Sequence, residues 1–234
     1  MNAIILCGGL STRLGEITKT IPKILLPIGP KRVFDWQMEK LKKMGIKEVV
    51  LAAGHLANNL REQVSTEWQG IKIIYAIENK KLGTGGAIKH ALEYVLYPEK
   101  PTIILNGDIL TTVSFVDMVK YLRSNSDGII LGSYVPDVSS YGTLVYDSNY
   151  HLQSFKEKEG INKPGYQNGG VYIFNPQIKK YFPATEVFSI EYDVFPNVKD
   201  LDVYESDKPW IDIGIPERLE WARENYHKFL IIND

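Results

Sequence analysis

Cysteine and histidine are scarce in this chain of 234 residues, which contains one cysteine and four histidines. The lone Cys7 excludes an internal disulfide and fits a reducing compartment, so we expect a cytoplasmic protein. Because Cys7 ends an apolar run of strand length, the pattern favours a buried structural thiol over a nucleophile. The histidines show neither metal-ligand spacing nor a nucleophile partner, and they are His55, His90, His151 and His227.

The chain also lacks an excess of charge and long apolar runs. It carries 27 basic and 28 acidic side chains, for a formal net charge of -1, which argues against binding to nucleic acid or to an anionic membrane surface. The first apolar run, Ala3 to Leu6, is too short for a signal peptide, and no stretch is long enough to span a membrane. With 44% hydrophobic and 24% charged residues, the composition is that of an ordinary globular protein with a sizeable core.

The first half of the sequence alternates between strand and helix patterns. Continuous apolar runs, typical of strands buried on both faces, are separated by apolar residues at helical spacing. This alternation predicts βαβ units, a mostly parallel sheet and helices on both of its faces. The predicted strands are Ala3–Cys7, Glu48–Ala53, Ile71–Ile77, Thr102–Leu105 and Gly128–Val135, and the predicted helices include Ala57–Val64 and one that begins near Thr84.

After Pro136 the rhythm changes to short strands. Tyr141–Asp147 and His151–Lys156 flank a predicted hairpin turn, and residues 157–168 form a predicted loop rich in Lys, Gly, Asn and Pro. We therefore expect an antiparallel subregion packed on the same sheet. We predict a single domain over 1–234, with residues 1–135 mainly binding nucleotide, 136–209 mainly binding sugar, and 210–234 closing the fold.

The first candidate site is a glycine loop directly after the first strand. Gly8 and Gly9 allow backbone N–H groups to approach phosphate oxygens, while Arg13 and Lys23 would supply positive charge. The dinucleotide fingerprint and the P-loop pattern are both absent. A tight strand-to-helix turn, with Arg13 capping a helix and Lys23 in solvent, is the alternative interpretation of the same residues.

The segment from Gly8 to Leu14, with Thr18, Pro22-Lys23 and Pro27, resembles the sugar-phosphate nucleotidyltransferases, also called nucleotide-sugar pyrophosphorylases. Later motifs of that family follow in order along the whole chain. The resemblance implies a Rossmann-like α/β nucleotidyltransferase fold, with a mostly parallel mixed sheet flanked by helices and a small antiparallel sugar-binding subregion. Two residues depart from the family pattern: Ser11 stands where glycine is usual, and Glu16 where proline is usual.

A second motif, Leu82-Gly83-Thr84-Gly85-Gly86-Ala87, follows the third strand and Glu78. By itself it is typical of a closely packed helix start; the resemblance implies a nucleobase pocket. Glu78 favours guanine weakly, because a carboxylate only accepts hydrogen bonds and guanine offers N1–H and N2–H₂ donors on one edge. The predicted nucleotide-binding residues are Leu6, Gly8, Gly9, Ser11, Thr12, Arg13, Glu78, Gly83, Thr84 and Gly85.

Two aspartates are the candidate metal ligands. Asp108 follows the fourth strand in Asn106-Gly107-Asp108, at the strand end where ligands of parallel sheets bind. A carboxylate there suits Mg²⁺, which prefers oxygen ligands and bridges substrate phosphates. Asp212, in Trp210-Ile211-Asp212-Ile213-Gly214, matches the family's second metal aspartate. We predict Arg13, Lys23 and Asp108 as catalytic residues, Asp108 and Asp212 as metal ligands, and Mg²⁺ as cofactor.

The sugar side rests on the resemblance alone. It implies that the sugar 1-phosphate is bound by polar and glycine residues of the second half together with the fourth strand end, namely Asn106, Tyr141, Gly142, Glu157, Lys158, Asn168 and Gly169. The family usually has proline after the Glu-Lys pair, where this chain has Glu159. A solvated charge run is the alternative for residues 156–159.

The implied reaction is nucleotidyl transfer from an NTP to a sugar 1-phosphate, which gives an NDP-sugar and pyrophosphate. The chain most resembles the short heptose- and mannose-1-phosphate guanylyltransferases, so GTP is favoured, with UTP, dTTP or CTP as alternatives. Two other classes stay open: a catalytically silent nucleotide-sugar sensor, and a GT-A-type glycosyltransferase, whose Asp-x-Asp motif is missing at Asn106-Gly107-Asp108. Partners are limited to these substrates, and a homo-oligomer is left open.

Overall fold

The computed structural model of the protein describes residues 1–9, 11–139, 141–156 and 162–230. In chain order its regular elements are β1 (Asn2–Leu6), β2 (Pro27–Ile28), β3 (Lys31–Arg32), α1 (Val33–Lys43), β4 (Glu48–Ala53), α2 (Ala57–Val64), β5 (Glu67–Trp68), β6 (Ile71–Ile77), α3 (Gly83–Ala91), β7 (Thr102–Asn106), β8 (Ile109–Thr111), α4 (Phe115–Lys120), β9 (Gly128–Val135), β10 (Thr143–Tyr146), β11 (Leu152–Lys156), β12 (Gly165–Phe174), β13 (Leu201–Ser206), β14 (Trp210–Asp212) and α5 (Pro216–Glu224). Short 3-10 or π-helical turns lie at Thr12–Thr18, Lys23–Leu25, Pro176–Tyr181, Ile190–Val194, Phe195–Asn197 and Tyr226–Phe229.

A ten-stranded sheet forms the centre of the molecule. Its strands lie in the order β11-β10-β12-β7-β1-β4-β6-β5, and β9 pairs with both β12 and β13. Strand β1 is parallel to β4 and β7, and β4 is parallel to β6, so four strands point the same way. Their largely apolar sequences fit this position, because both faces of a parallel sheet are covered by helices.

The second half of the chain extends the same sheet. β12 joins β7 in antiparallel register, with Val171 opposite Leu105, and it also pairs antiparallel with β9 and β10. The predicted antiparallel subregion on the common sheet is therefore confirmed for these strands. β13 differs, since it runs parallel to β9 with Leu201 opposite Gly128.

Helices cover both faces of the sheet. Apolar residues of α1, α2 and α4 form one core cluster with one face, and those of α3 and residues 188–203 form a second cluster with the other. A third, smaller cluster joins α5 to Leu14, Trp36 and the β8–β14 ribbon. Among the helices that the structure describes, none is long and apolar enough to cross a membrane.

Several predicted elements are confirmed to the residue: Glu48–Ala53, Ala57–Val64, Ile71–Ile77 and Gly128–Val135. The predicted loop over residues 157–168 is wrong at its end, because β12 begins at Gly165. Pairing with β9 and β10 overrides the glycine-rich composition of this segment. Residues 157–161 lie outside the described residues.

Candidate active site

A cavity of about 590 Å³ opens where the four parallel strands end, a volume typical of small-molecule sites. The carboxyl ends of β1, β4, β6 and β7 all contribute to its wall. Backbone, cationic and acidic groups line it, namely Leu6, Cys7, Gly8, Gly9, Ser11, Lys23, Ile24, Ala52, Gly54, His55, Glu78, Asn79, Lys80, Lys81, Gly83, Thr84, Ala87, Asn106, Gly107 and Asp108. Most of the predicted nucleotide-binding residues are thus brought together.

The glycine loop forms one wall of this cavity. Gly8, Gly9 and Ser11 line it, while Leu10 lies outside the described residues. Ser11 has φ 52° and ψ 31°, in the left-handed region that glycine adopts most easily, which accounts physically for the glycine usual at this position. The side-chain hydroxyl of Thr18 donates to the carbonyl oxygen of Ser11 at 3.0 Å and so holds the turn.

Thr12 and Arg13 begin the 3-10 turn after the loop and are exposed rather than part of the cavity wall. Arg13 points toward the β14 end of the cleft: a Cβ built on Gly214 would lie 3.6 Å from a guanidinium nitrogen of Arg13. This places the arginine near Gly214, which is two residues after Asp212. Gly8, Gly9 and Ser11 therefore line the cavity, whereas the predicted phosphate-binding cation Arg13 lies outside its wall.

The two predicted metal aspartates lie close together on the β8–β14 ribbon. β8 begins one residue after Asp108, Asp212 pairs with Ile109, and the backbone N–H of Ile213 donates to the carbonyl oxygen of Asp108 at 2.9 Å. The ammonium of Lys23 bonds Oδ2 of Asp108 at 2.9 Å. Burial raises the pKa of Asp212, and the negative charge of Asp108 raises it further. The half-buried carboxylates of Asp108 and Asp212 thus lie close enough together for the charge of one to act on the other.

Glu78 lies at the other side of the cavity, just beyond the end of β6. Its carboxylate fills the space that side chains at Gly8 and Gly54 would occupy, since Cβ atoms built there would lie 2.5 Å and 2.4 Å from Oε1. The backbone N–H of Leu82 donates to Oε2 at 3.3 Å. Burial raises the pKa of Glu78, which the N–H of Leu82 partly offsets. Gly8, after β1, and Gly54, after β4, therefore leave the space that the carboxylate of Glu78 occupies.

The Gly83–Gly86 motif is divided between the cavity wall and a packing contact with residues 186–190. Gly83 and Thr84 line the cavity, but the N–H groups of Gly85 and Gly86 both donate to the carbonyl oxygen of Phe188. A Cβ on Gly85 would lie 2.3 Å from the ring of Phe188. These glycines allow α3 to pack closely against the segment at residues 186–190. The predicted contact of Gly85 with a nucleobase finds no support in this geometry.

The predicted sugar-binding residues that the structure describes are linked by hydrogen bonds and a ring contact. The amide nitrogen of Asn168 donates to the hydroxyl of Tyr172 at 2.9 Å, and its backbone N–H donates to the carbonyl of Gly142 at 3.2 Å. The indole N–H of Trp210 donates to the carbonyl of Gly169 at 2.8 Å, and its ring contacts Tyr141 edge-on. Asn106 lies at the edge shared with the nucleotide cavity. Glu157 and Lys158 lie outside the described residues.

Sequence reasoning missed several residues of the site, among them Gly54, His55, Lys80, Lys81 and Arg218. Gly54 and His55 follow β4 and line the cavity, and a signal existed, because ligands of parallel sheets bind beyond strand ends. Arg218, at the start of α5, bonds Oδ1 of Asp212 at 2.7 Å, and nothing in the local sequence pointed to it. Cys7, expected to be a buried structural thiol, is half-buried and lines the cavity; its thiol donates to the carbonyl oxygen of Ala52, and burial raises its pKa to about 12.

A separate group of metal-ligand types lies at the opposite edge of the sheet. His151, Asp200 and Asp202 approach one another where β13 begins. The guanidinium of Arg123 bonds both aspartates, so a cation already balances their charge. This group is therefore independent of the cleft that holds Asp108 and Asp212.

Comparison with known proteins gives full-length similarities. Residues 2–228 match the family described as nucleotidyl transferase. The chain is 41% identical over 236 residues to a D-glycero-alpha-D-manno-heptose 1-phosphate guanylyltransferase of Campylobacter jejuni, with 100% of both chains covered. It is 33% identical over 234 residues to a protein of the same name from Aneurinibacillus thermoaerophilus, with 98% of this chain and 100% of that one covered.

A solved structure agrees with these sequence matches. The structure of HddC from Yersinia pseudotuberculosis complexed with GMP-PN aligns with a TM-score of 0.84 at 33% identity, and covers 96% of this chain and 99% of that chain. The predicted α/β fold, with its mostly parallel mixed sheet and flanking helices, is confirmed.

Proposed function

Because the chain belongs to the nucleotidyl transferase family, we propose that it transfers the guanylyl group of GTP to a sugar 1-phosphate and releases pyrophosphate. The names of its relatives, which are heptose 1-phosphate guanylyltransferases, support this substrate pair. A heptose 1-phosphate is the first sugar substrate to test, and a mannose 1-phosphate the second.

One observation carries the proposal: a single cavity is lined both by Glu78 and by the ion pair of Lys23 with Asp108. The first group suits a nucleobase and the second suits phosphate and metal. The turn at Gly8 and Gly9 presents backbone to the same cavity and suits phosphate oxygens. A nucleoside triphosphate carries a base and a charged phosphate chain in one molecule, so it matches both kinds of group.

The choice of guanine rests on the hydrogen-bonding character of Glu78. Its ionised carboxylate offers only acceptors, which suit the N1–H and N2–H₂ donors of guanine. Uracil and thymine present a single N3–H, for which a glutamine would be the better partner. The seating of the carboxylate between Gly8 and Gly54 supports a fixed position for these acceptors.

The transfer itself needs little acid–base chemistry. An oxygen of the sugar phosphate, already ionised, attacks the α-phosphorus of GTP in line while the bond from that phosphorus to the β-phosphate oxygen breaks. Pyrophosphate leaves with the electron pair. Lys23 and Arg13 would offset the negative charge that accumulates, and neither a catalytic histidine nor a nucleophilic cysteine is required.

Asp108 and Asp212 would hold Mg²⁺. The fit is supported by two half-buried carboxylates on neighbouring strands, where the charge of one raises the pKa of the other, because a divalent cation removes such repulsion. When bound, Mg²⁺ supplies Lewis-acid stabilisation of phosphate charge.

The second half of the chain would bind the sugar 1-phosphate. Tyr141, Gly142, Asn168 and Gly169 stand together beside the cleft, and their hydrogen bonds and ring contacts support one subsite. The resemblance adds Glu157 and Lys158 for the sugar hydroxyls and phosphate. We retain the division into residues 1–135 for nucleotide and 136–209 for sugar, with residues 210–234 closing the fold, as part of this proposal.

Pyrophosphate release, measured over five NTPs and a panel of sugar 1-phosphates with Mg²⁺, tests the proposal directly. We expect turnover with GTP and a heptose or mannose 1-phosphate. Turnover with UTP, dTTP or CTP alone would keep the reaction class and overturn the guanine assignment. No turnover with any pair, together with measurable nucleotide-sugar binding, would favour the silent sensor instead.

A further inference from the structure

Arg218 is a half-buried cation that the proposed reaction does not use. It lies in the first turn of α5, two residues after Pro216, and its side chain is only 19% exposed. Its Nε is buried without a hydrogen-bond partner among the described residues. Burying a guanidinium is costly, and an apolar residue is often at least as stabilising at such a position.

The guanidinium of Arg218 joins two groups that are 71 residues apart in the chain. One terminal nitrogen donates to Oδ1 of Asp212 at 2.7 Å, and the other donates to the hydroxyl of Tyr141 at 3.1 Å. The guanidinium carbon also lies 5.3 Å from the centre of the Tyr141 ring, within cation–π range. One planar group thus makes three contacts across the cleft.

Gly214 lets these charged groups come together. A Cβ built there would lie 2.7 Å from Oδ1 of Asp212 and 3.6 Å from nitrogens of both Arg13 and Arg218. Two guanidinium groups therefore approach the same glycine, Arg13 from the turn after the glycine loop and Arg218 from α5. Of the two, Arg218 is the one that bonds the carboxylate of Asp212.

We propose that Arg218 is a positioning residue for the sugar 1-phosphate, acting as a bridge between Asp212 and Tyr141. The bridge fixes the distance between Asp212, on the metal side, and Tyr141, in the sugar subsite. It leaves Oδ2 of Asp212 available, because the guanidinium bonds only Oδ1. This inference rests on the proposed function and adds a determinant of sugar 1-phosphate binding to it.

A double-mutant cycle tests the bridge. The variants are Arg218→Lys, which keeps the charge but not the two-pronged geometry, Tyr141→Phe, which keeps the ring but not the hydroxyl, and their combination. We expect each single variant to raise KM for the sugar 1-phosphate about tenfold, the size typical of a lost hydrogen bond to a charged group, with KM for GTP within about twofold. The double variant should be no worse than either single one.

A binding measurement separates this inference from the catalytic proposal. Calorimetric titration of mannose 1-phosphate into the protein in EDTA should show the same weakening in both single variants, without any turnover. Arg223→Lys, on the exposed side of the same helix, is the matched control and should behave as wild type. Melting temperatures identify any variant that fails to fold, and Tyr141→Phe carries the test if Arg218→Lys is unstable.

The outcomes distinguish the two ideas. An inactive wild-type protein that binds no sugar phosphate removes the proposed function. An active wild type in which Tyr141→Phe behaves normally, or in which the two single effects add, overturns the bridge alone. Equal increases in KM for GTP and for the sugar 1-phosphate would also overturn it, because they indicate a general disturbance of the cleft.

Discussion

Replacing Gly54 by alanine should change which nucleotide is used while the fold stays intact. A Cβ at this position would lie 2.4 Å from Oε1 of Glu78 and 2.7 Å from its Cγ. Both atoms belong to a flexible side chain, so the carboxylate can move away. Gly8 already limits its position from the other side, where a Cβ would lie 2.5 Å from the same oxygen.

The size of the effect follows from the displacement. A separation of 2.4 Å is about 1 Å short of ordinary van der Waals contact, so Oε1 must shift by about that distance. Such a shift breaks a well-aligned hydrogen bond to guanine. Losing one hydrogen bond to a charged group costs about 1.5–3 kcal/mol, which predicts a fall of about tenfold to a hundredfold in kcat/KM for GTP.

The assay is pyrophosphate release with GTP and with UTP as separate substrates. UTP serves as the internal control, since its single donor depends less on the carboxylate position. The Gly54→Ala and Glu78→Gln changes act on the same contact, so we expect their combination to resemble Glu78→Gln alone. The stability cost should be near the lower end of the overpacking range, about 1 kcal/mol, and thermal melting measures it.

Two results would refute the reasoning. An unchanged ratio of GTP to UTP use in a folded Gly54→Ala protein would mean that Glu78 does not read the base. Equal losses with both nucleotides would place the effect on the phosphate loop, because Gly8 belongs to both features.

Three further predictions follow from the site. Asp108→Asn should abolish Mg²⁺-dependent turnover with little change in melting temperature; near-normal activity would mean that the metal is held elsewhere. Burial raises the pKa of Glu78 above its ordinary 4.5, so the carboxylate loses its charge as pH falls through a value above 4.5. In kinetics measured across pH, KM for GTP should therefore rise at low pH in the wild type. It should stay flat in Glu78→Gln, which has no carboxylate to protonate. Gly85→Ala should lower the melting temperature, with an overpacking cost of about 1–3 kcal/mol, because its Cβ would meet the ring of Phe188 at 2.3 Å; an unchanged melt would show that the segment at 186–190 yields freely.

The sequence predicted the buried strands well because their pattern is local. Glu48–Ala53, Ile71–Ile77 and Gly128–Val135 are dominated by apolar residues, as expected of strands covered on both faces, with single polar residues at Glu48, Lys72 and Ser133. The short ribbon of β8 and β14 was not predicted, because three residues carry too little periodicity to be recognised. Its existence depends on pairing between segments about a hundred residues apart.

The glycines of the site also show what the sequence alone cannot predict. A glycine in the sequence can indicate that a side chain is excluded at that position, but it does not indicate which neighbouring group excludes it. Gly8 fits a phosphate turn in the sequence, yet in the structure it also makes room for Glu78, and Gly85 makes room for Phe188 rather than for a ligand. Both partners are brought in by the sheet or by a distant segment, so local sequence could identify the constraint but not its cause.

The charges of the two predicted metal aspartates are only partly balanced in the free protein. Each aspartate predicted to bind metal has one cation of its own: Lys23 bonds Asp108, and Arg218 bonds Asp212. Paired in this way, two neighbouring carboxylates can be tolerated in a half-buried position. The compensation is incomplete, since burial and the charge of Asp108 raise the pKa of Asp212 despite Arg218. The remaining repulsion is what a divalent cation would relieve, and this supports the metal site that we propose at these two aspartates.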